Sequence, residues 1–289
     1  MKYIVNMACG LANRMFQYSY YLYLKEKGYD VEVDFYTSAK LSHEHVLWNR
    51  IFPEATFSQA SADEIRRLGG GSDLWSKVCR RFIPFLSDSL QMPTAFDAFE
   101  PNGKKSQYIF GVFQNAGMVE SVADRVAKAF AFTALEGESN HILKQQFQQE
   151  ESVAIHVRKG DDYRQRIWYQ NTCPKAYYMQ AIREMCNRVE HPRFYVFADN
   201  KEWVKENFID FEYTLVDGNP VSGWGSHFDM QLMSLCKHTI ISNSTYSWWG
   251  AFLNQNADKT VICPKVWFNP ESTKEFESDR LLCKNWLSI

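Results

Sequence analysis

The sequence predicts a doubly wound parallel α/β fold, and two observations lead to this prediction. Short apolar runs typical of buried strands alternate with segments of helical periodicity along most of the chain. Several of these runs end in small polar or acidic residues, such as Asp199–Asn200 and Asp217–Gly218. Because ligands bind at the carboxyl ends of the strands in open parallel sheets, we expect the binding edge of the protein there.

The first elements form a strand–helix–strand unit. The apolar run within Lys2–Asn6 predicts a strand. Apolar residues at spacings of three and four over Leu11–Leu22 predict a helix that ends near Gly28. Val31–Phe35 alternates apolar and acidic residues, which predicts a second strand and starts a parallel unit.

The pattern is less regular in the next hundred residues. Leu41–Ala60 predicts irregular structure, and Ser61–Glu64 has the capping-box pattern that opens a short helix. Trp75–Leu86 predicts a helix, Gln107–Phe113 a strand and Met118–Phe132 a further helix.

The polar segment Asn140–Glu151 predicts a helix end or a linker between domains. We therefore expect two domains, 1–145 and 146–289. In the second half the alternation is regular. The predicted strands are Val153–Val157, Phe194–Ala198, Thr214–Val216, Thr239–Ile241 and Val261–Cys263. The predicted helices are Pro174–Arg188, Glu202–Phe208, Asp229–Cys236 and Tyr246–Leu253.

Composition excludes several classes of protein. Hydrophobic residues are 45% and the formal net charge is -2, so a globular protein is expected and no basic excess favours nucleic acid. No apolar run reaches the ~20 residues of a membrane helix, and the N-terminus is too short and polar for a signal peptide. The seven cysteines lack CxxC spacing, which favours reduced thiols in a cytoplasmic protein. Neither a GxGxxG nor a GxxxxGK[ST] motif occurs.

The first motif with chemical character is IHVRKGDDYR, Ile155–Arg164. His156 and Arg158 share one face of the predicted strand, and a guanidinium fork suits a phosphate. A surface ion pair between Arg158 and Asp161 explains the segment equally well. The segment alone does not decide between these interpretations.

The second motif is SNSTYSWWG, Ser242–Gly250, where a strand turns into a helix. The amide of Asn243, the hydroxyls and the helix N-terminus suit phosphate oxygens. The alternative is that Ser244 or Thr245 only caps the helix, and the two interpretations are compatible. Trp248 and Trp249 are assigned mainly to the core.

Three further positions have both a structural and a functional interpretation. Asp229 begins a helix, where a dipole partner is favoured over a carboxylate that accepts two N–H bonds from guanine. Asn13 and Arg14 begin the first helix, where a cap and a surface arginine are favoured. His43 and His45 lack a third ligand, so we favour loop histidines or acceptor contacts over a metal site.

Taken together, five stretches resemble the α1,2-fucosyltransferases of glycosyltransferase family 11. They read GLANRMFQYSYYLYL, HVRKGDDY, FADNKEWVKENF, DMQLMSLCKHTIISNSTYSWWGAFLN and VICPKVWF. The resemblance implies an α/β fold of the GT-B type, with two Rossmann-like domains whose parallel sheets face each other across a cleft. It implies that domain 1–145 lies on the acceptor side and that domain 146–289 binds the donor nucleotide sugar. It also implies a GDP-fucose donor, inversion at the anomeric carbon, and no metal or other cofactor.

The resemblance also implies residue roles. Arg158 matches the arginine that holds the donor diphosphate, and His156 matches a neighbouring donor-site histidine. Asp229 and Ser244–Thr245–Tyr246 resemble positions that contact guanine and phosphate in related enzymes. Asn13 matches the amide of the first family motif, usually GGLGNQMFQY, which faces the cleft. In that motif this chain departs from the family at three positions, namely Cys9, Ala12 and Arg14 in place of Gly, Gly and Gln.

The chemistry of the implied reaction agrees with these roles. Sugar transfer builds negative charge on the departing diphosphate, and without a metal the protein must supply cations and hydrogen-bond donors. We therefore expect Arg158, Asp161 and Asn13 to be catalytic and His156, Asp229 and Asn243–Tyr246 to bind the donor. The candidates for a general base are Asp161, Asp162 and His156.

The expected function is transfer of L-fucose from GDP-fucose to the 2-hydroxyl of a terminal galactoside in surface-polysaccharide or oligosaccharide synthesis. The expected partners are GDP-fucose and a galactose-terminated glycan, with no nucleic acid. The expected location is the cytoplasm, free or peripherally at the inner face of the membrane. Two alternatives stay open: another nucleotide sugar or linkage, and a relative that binds nucleotide or carbohydrate without catalysis.

Overall fold

A computed structural model describes the chain except residues 36–41, 72–77, 79–80, 82–88, 270 and 273–277, and it does not describe the side chains of 42–46, 162, 164 and 278. The chain divides into two units, Met1–Thr133 and Ala134–Ile289. Each unit contains its own parallel sheet flanked by helices. Two Rossmann-like units confirm the α/β fold class expected from the sequence.

The first unit contains a four-stranded sheet in the order β2-β1-β4-β3, and all its pairings are parallel. Its strands are β1 Lys2–Asn6, β2 Asp30–Asp34, β3 Leu90–Gln91 and β4 Gln107–Ile109. Its helices in the described residues are α1 Leu11–Glu26, α2 Ser42–Ile51, α3 Ala62–Arg67, α4 Ala116–Ser121 and α5 Ala123–Ala129.

Helix α1 is buried on more than one face. Besides the predicted stripe, Phe16 and Tyr20 are fully buried. A buried phenol needs a hydrogen-bond partner, and the Tyr20 hydroxyl donates to the carbonyl of Phe99 at 2.7 Å. Tyr18 does the same with the carbonyl of Thr56 at 2.8 Å. The aromatic residues of this helix are therefore core residues with satisfied polar ends.

The second unit contains a six-stranded parallel sheet in the order β10-β9-β8-β5-β6-β7. Its strands are β5 Glu151–Val157, β6 Pro192–Ala198, β7 Tyr213–Leu215, β8 His238–Ile240, β9 Val261–Cys263 and β10 Leu287–Ser288. Its helices are α6 Glu138–Gln149, α7 Asp161–Gln165, α8 Lys175–Arg188, α9 Lys201–Asn207, α10 Phe228–Leu235 and α11 Thr245–Phe252. Two 3₁₀ turns lie at Ile167–Tyr169 and Ser278–Leu281.

Strand β5 lies between β8 and β6 and is buried on both faces. Val153, Ile155 and Val157 form one side of it and are fully buried in the core of the unit. Burial of both faces is expected for a central parallel strand covered by helices. Trp248 and Trp249 of α11 are also fully buried, which confirms their assignment to the core.

Three predicted segments differ in the structure. Leu41–Ala60 contains helix α2, which buries Trp48 and Ile51 before Pro53 stops it, so the irregular prediction there was wrong. The predicted helix Met118–Phe132 is broken at Val122, where φ is -124°. The segment after Asn140 belongs to α6, a full helix. Most of the predicted helix Trp75–Leu86 lies outside the described residues.

The division between the units falls after Thr133, whereas the sequence placed it after residue 145. Helix α6 explains the difference because it packs against β5 and α10 of the second unit. The buried residues of this polar helix are few, namely Asn140 and Phe147. Its sequence therefore shows only a weak apolar face, and it does not reveal which unit the helix packs against.

Two properties of the chain follow from the described residues alone. None of the helices there is both long and apolar enough to cross a membrane. The six cysteines in the described part form no disulfide; Cys79 lies outside it.

Candidate functional site

The candidate site lies at the carboxyl edge of the second sheet. This edge comprises residues 156–160 at the end of β5 and just after it, 199–200 after β6 and 241–244 after β8. Strands β6, β5 and β8 are parallel neighbours, so their carboxyl ends lie side by side. The topology therefore brings together the two motifs that the sequence analysis singled out.

His156 is a buried neutral histidine at this edge. Its Nδ1 lies 2.8 Å from the hydroxyl of Ser242, which follows the adjacent strand β8. Burial, with a smaller contribution from the Arg158 charge, lowers the pKa of His156 to about 3. A histidine that stays neutral near pH 7 can donate or accept a hydrogen bond but brings no charge to a phosphate. As a general base it is weak, because its low pKa opposes proton uptake.

We expect the low pKa of His156 to make the protein lose stability in acid. Between pH 3 and 6.5 the unfolded chain binds a proton at this position and the folded protein does not, so stability rises with pH across that window. In His156→Asn the free energy of unfolding should fall less steeply between pH 6.5 and 4.5, by up to ~1.4 kcal/mol per pH unit. Urea unfolding at a series of pH values measures this, with His191→Asn at an exposed histidine as the control. If the free energy of unfolding of His156→Asn depends on pH as steeply as that of the wild type, the prediction is wrong.

Arg158 follows β5 and is about one third exposed. Its Nη1 lies 3.1 Å from Oδ2 of Asp199, which follows β6. The two strands are in register at Val157 and Ala198, so the next residue of each stands beside the other. Asp199 is thus an acidic partner of Arg158 that the sequence analysis missed, and the only signal for it was the polar end of a predicted strand. Asp161 is exposed in the first turn of α7.

Lys159 fixes the loop that follows Arg158. Its backbone N–H donates to Oδ1 of Asp199 at 2.6 Å. Its ammonium donates to the carbonyl of Thr172 at 2.9 Å and lies 5.0 Å from the centre of the Tyr163 ring. Burial lowers the pKa of this ammonium. The loop is therefore held from both the backbone and the side chain of one residue.

The side chain of Asn243 faces the interior of the unit. Its Nδ2 donates to the Thr172 hydroxyl at 3.0 Å and to the Trp267 carbonyl at 2.8 Å. Its Oδ1 accepts from the hydroxyl of Tyr163 at 3.2 Å. Both N–H donors of the amide are occupied, so this side chain ties loops together. A donor contact by its side chain would need these bonds to break.

Helix α11 begins at the carboxyl edge with hydroxyl residues. Ser244 holds the N-cap position, with φ -135° and ψ 127°, but its side chain makes no capping hydrogen bond. Ser244 and Thr245 are both partly exposed. Ser244 is therefore the N-cap residue, as one interpretation of the sequence expected, but its hydroxyl does not cap the helix. The helix N-terminus keeps N–H groups directed at the edge, an arrangement that suits an anion.

Tyr246 uses its hydroxyl to anchor the neighbouring helix. The phenol accepts from the backbone N–H of Met230 at 2.9 Å and donates to the carbonyl of Ser226 at 2.7 Å. Burial raises the pKa of Tyr246 well above its usual value. The ring lies 5.8 Å from that of His156, centre to centre. Tyr246 therefore places the first turn of α10, which carries Asp229, beside the edge.

Asp229 is a largely buried carboxylate with a polar partner. Its Oδ1 accepts from Nδ2 of Asn219 at 2.8 Å. The Asn219 and Asn140 amides bond to each other in both directions, at 2.8 and 3.1 Å. Burial raises the pKa of Asp229, and the Asn219 bond opposes that rise. Asp229 lies in the first turn of α10, where a helix-dipole partner is expected, and Asn219 is a second partner that the sequence analysis missed.

Asn13 belongs to the first unit, in the first turn of α1. Its Oδ1 accepts from Nε2 of Gln114 at 3.0 Å. Just before it, Cys9 has a positive φ of 72°, a conformation that suits glycine and strains other residues. The family motif carries glycine at this position, a residue that takes such a φ at little cost. Arg14 is buried with its guanidinium 4.9 Å from the centre of the Phe35 ring, so it is not a surface arginine.

Among the residues whose side chains are described, no three His, Cys, Asp or Glu side chains are grouped so as to hold a metal ion. His43 and His45 lie in helix α2 and not in a loop, but their side chains are not described. Whether the reaction uses a metal stays a prediction.

The model of the protein family described as Glycosyl transferase family 11 matches residues 90–289. The match contains the carboxyl edge, α10 and α11, while Asn13 lies outside it. Over most of its length the chain therefore carries the sequence pattern of one family.

Curated relatives share the same region. An O-antigen biosynthesis glycosyltransferase of Escherichia coli, WbnK, is 31% identical over 192 residues, 64% of this chain and 62% of the relative. An Escherichia coli alpha-1,2-colitosyltransferase is 34% identical over 128 residues, 44% of each chain. Human galactoside alpha-(1,2)-fucosyltransferase 1 is 29% identical over 47% of this chain and 38% of its own. The chain thus spans between about two fifths and three fifths of the length of these relatives.

A solved structure has a similar fold. The NodZ alpha-1,6-fucosyltransferase, crystallised and soaked with GDP-fucose, superposes with a TM-score of 0.50 at 13% identity, covering 87% of this chain and 92% of its own. At this identity the likeness concerns the fold alone, and it agrees with a GT-B architecture.

Proposed function

The chain belongs to glycosyltransferase family 11, and on that basis we propose that it transfers L-fucose from GDP-fucose to the 2-hydroxyl of a galactoside. The single observation that carries the proposal is the position of Arg158. This guanidinium stands at the end of the central strand β5, next to the strand that leads into the N-terminus of α11. The arrangement offers a cation and several N–H donors to a diphosphate.

In the proposed reaction, a bond forms between the acceptor hydroxyl oxygen and C1 of fucose. The bond between C1 and the β-phosphate oxygen breaks, and its electron pair leaves with GDP. Negative charge develops on that oxygen, where Arg158 and the N–H groups at the start of α11 would stabilise it. The acceptor proton passes to a base or to solvent, and Asp161 is the exposed carboxylate best suited to take it.

The finer features of the reaction are proposals as well. We propose inversion at the anomeric carbon, because a single displacement needs no protein nucleophile. We propose that no metal takes part, since Arg158 and helix α11 supply the positive charge that a metal would bring. The acceptor is proposed to be a galactose-terminated precursor of a surface polysaccharide or oligosaccharide. Location in the cytoplasm or at the inner face of the membrane stays a prediction from the sequence.

The test is product formation from GDP-fucose and a panel of galactosides, each with and without EDTA, read by mass spectrometry and NMR. We expect a fucosylated product with an α1,2 linkage and an unchanged rate in EDTA. Loss of activity in EDTA that Mg²⁺ or Mn²⁺ restores would contradict metal independence alone. Binding of GDP without transfer to any acceptor would favour a non-catalytic relative.

A second donor has a specific observation in its favour, namely the relative named as an alpha-1,2-colitosyltransferase. Colitose differs from fucose by the absence of one ring hydroxyl. A competition between the GDP derivatives of the two sugars decides between them. Preference for fucose by tenfold or more in kcat/KM supports the main proposal, and the reverse preference supports the second.

A further inference from the structure

We propose that Asp199 is a positioning residue that holds the guanidinium of Arg158 in the orientation that receives the donor diphosphate. The inference rests on the function proposed above for Arg158, but its geometric part does not. The two oxygens of Asp199 have different partners: Oδ1 accepts the Lys159 backbone N–H at 2.6 Å, and Oδ2 lies 3.1 Å from Nη1 of Arg158.

Strand register explains why this carboxylate can act on Arg158. Val157 and Ala198 are paired in the parallel ladder, so Arg158 and Asp199 are the next residues on adjacent strands. The backbone N–H of Asp199 also bonds to the carbonyl of Val157 at 3.4 Å. Asp199 is thus hydrogen-bonded to the backbone of Val157 and of Lys159, on both sides of Arg158. These two bonds restrict the orientation of its carboxylate.

The charges near Asp199 indicate that its main role is to pair with Arg158. Its Oδ2 is buried and has no hydrogen bond in the described residues, so the Arg158 guanidinium at 3.1 Å is its charged partner. The ammonium of Lys159 donates to the carbonyl of Thr172. A carboxylate oxygen removed from water is costly unless a cation compensates its charge. The pairing therefore favours a single side-chain orientation of Arg158.

The consequence for the reaction is preorganisation. An arginine side chain loses rotamer freedom when it orders on a ligand, and this entropy cost weakens binding. If Asp199 has already ordered it, the donor does not bear that cost, and the guanidinium is in place when charge develops on the leaving group.

The first test is kinetic and uses Asp199→Asn. The amide can still accept the Lys159 N–H but no longer attracts Arg158. We expect kcat/KM for GDP-fucose to fall about 10- to 100-fold, as for a misplaced catalytic group, with a melting temperature close to that of the wild type. Asp199→Glu should recover part of the loss. In an Arg158→Ala background the same substitution should cost nothing further, because Asp199 acts through Arg158.

The control is Asp210→Asn, at the exposed ion pair with Lys175, which the proposed site does not use. It should leave kcat/KM within about twofold of the wild type. Multiplicative losses in the double variant of Asp199 and Arg158 would overturn the proposal, because they would mean that the two residues act independently. An Asp199→Asn variant with full activity would overturn it as well.

A second measurement does not depend on transfer activity. In wild-type protein the ¹⁵N signals of the Arg158 guanidinium should show slow rotation of the Nη groups, and in Asp199→Asn this rotation should become fast. An equal rate of Nη rotation in the wild type and in Asp199→Asn would overturn the proposal that Asp199 orders the Arg158 guanidinium. If the wild type neither binds GDP nor transfers fucose, the proposed function is wrong, while this measurement still decides whether Asp199 orders Arg158.

Discussion

Replacement of Arg158 by alanine is expected to reduce fucosyl transfer by about 10³-fold or more. Removal of one donor to a developing oxyanion costs about 10²–10³ in rate, and this residue also supplies a full charge. Because the charge on the diphosphate grows in the transition state, most of the loss should appear in kcat. The measurement is steady-state kinetics with varied GDP-fucose. Arg158→Lys should recover little, since an ammonium lacks the fork geometry.

The matched control is Arg193→Ala. Arg193 lies on β6 at the opposite end of the same sheet, in an exposed contact with Glu212. Its loss should change neither kcat nor KM by more than about twofold. An Arg158→Ala enzyme with nearly unchanged kcat would refute the role assigned to this residue, whatever its effect on stability.

Replacement of Asp229 by asparagine is expected to make the ligand-free protein more stable and to weaken GDP binding. The pKa of Asp229 is raised in the folded protein, mainly by burial. A raised carboxyl pKa means that stability is lost as pH rises through the folded value, so at pH 7 the ionised group destabilises the fold. Asparagine removes this charge and can still accept from Asn219. We expect a gain of about 1 kcal/mol in the free energy of unfolding.

The same change should lower affinity for GDP about 10- to 100-fold, because a neutral amide cannot accept two N–H bonds from the guanine edge. Inosine diphosphate lacks the exocyclic amine, so its affinity should fall less. Calorimetry with both nucleotides and urea unfolding without ligand measure the two effects. Asp210→Asn, at an exposed ion pair with Lys175, is the control. A less stable variant, or one with unchanged GDP affinity, would contradict this account of Asp229.

Much of the second unit could be predicted from the sequence because its signals are local. The apolar runs of β5 and β6, the Pro174 that precedes α8 and the strand-to-helix turn before α11 are each contained in a few neighbouring residues. The capping box at Ser61 is equally local, and it forms with both of its hydrogen bonds. Local patterns therefore located the edge on which the candidate site lies.

The remaining features depend on pairing between distant residues. Asp199 meets Arg158 through the register of two strands, and Asn219 meets Asp229 across a loop. Helix α2 forms because it buries Trp48 in the core, which the surrounding polar residues conceal in the sequence. Asn243 carried the right residue type for a phosphate site, but tertiary hydrogen bonds occupy its amide.

The most direct test of the central claim is a crystal structure of the wild-type protein with GDP bound. The account predicts that a β-phosphate oxygen lies within hydrogen-bond distance of the Arg158 guanidinium and near the first turn of α11, with Asp199 still beside Arg158. A nucleotide bound elsewhere, with its diphosphate away from that guanidinium, would contradict it.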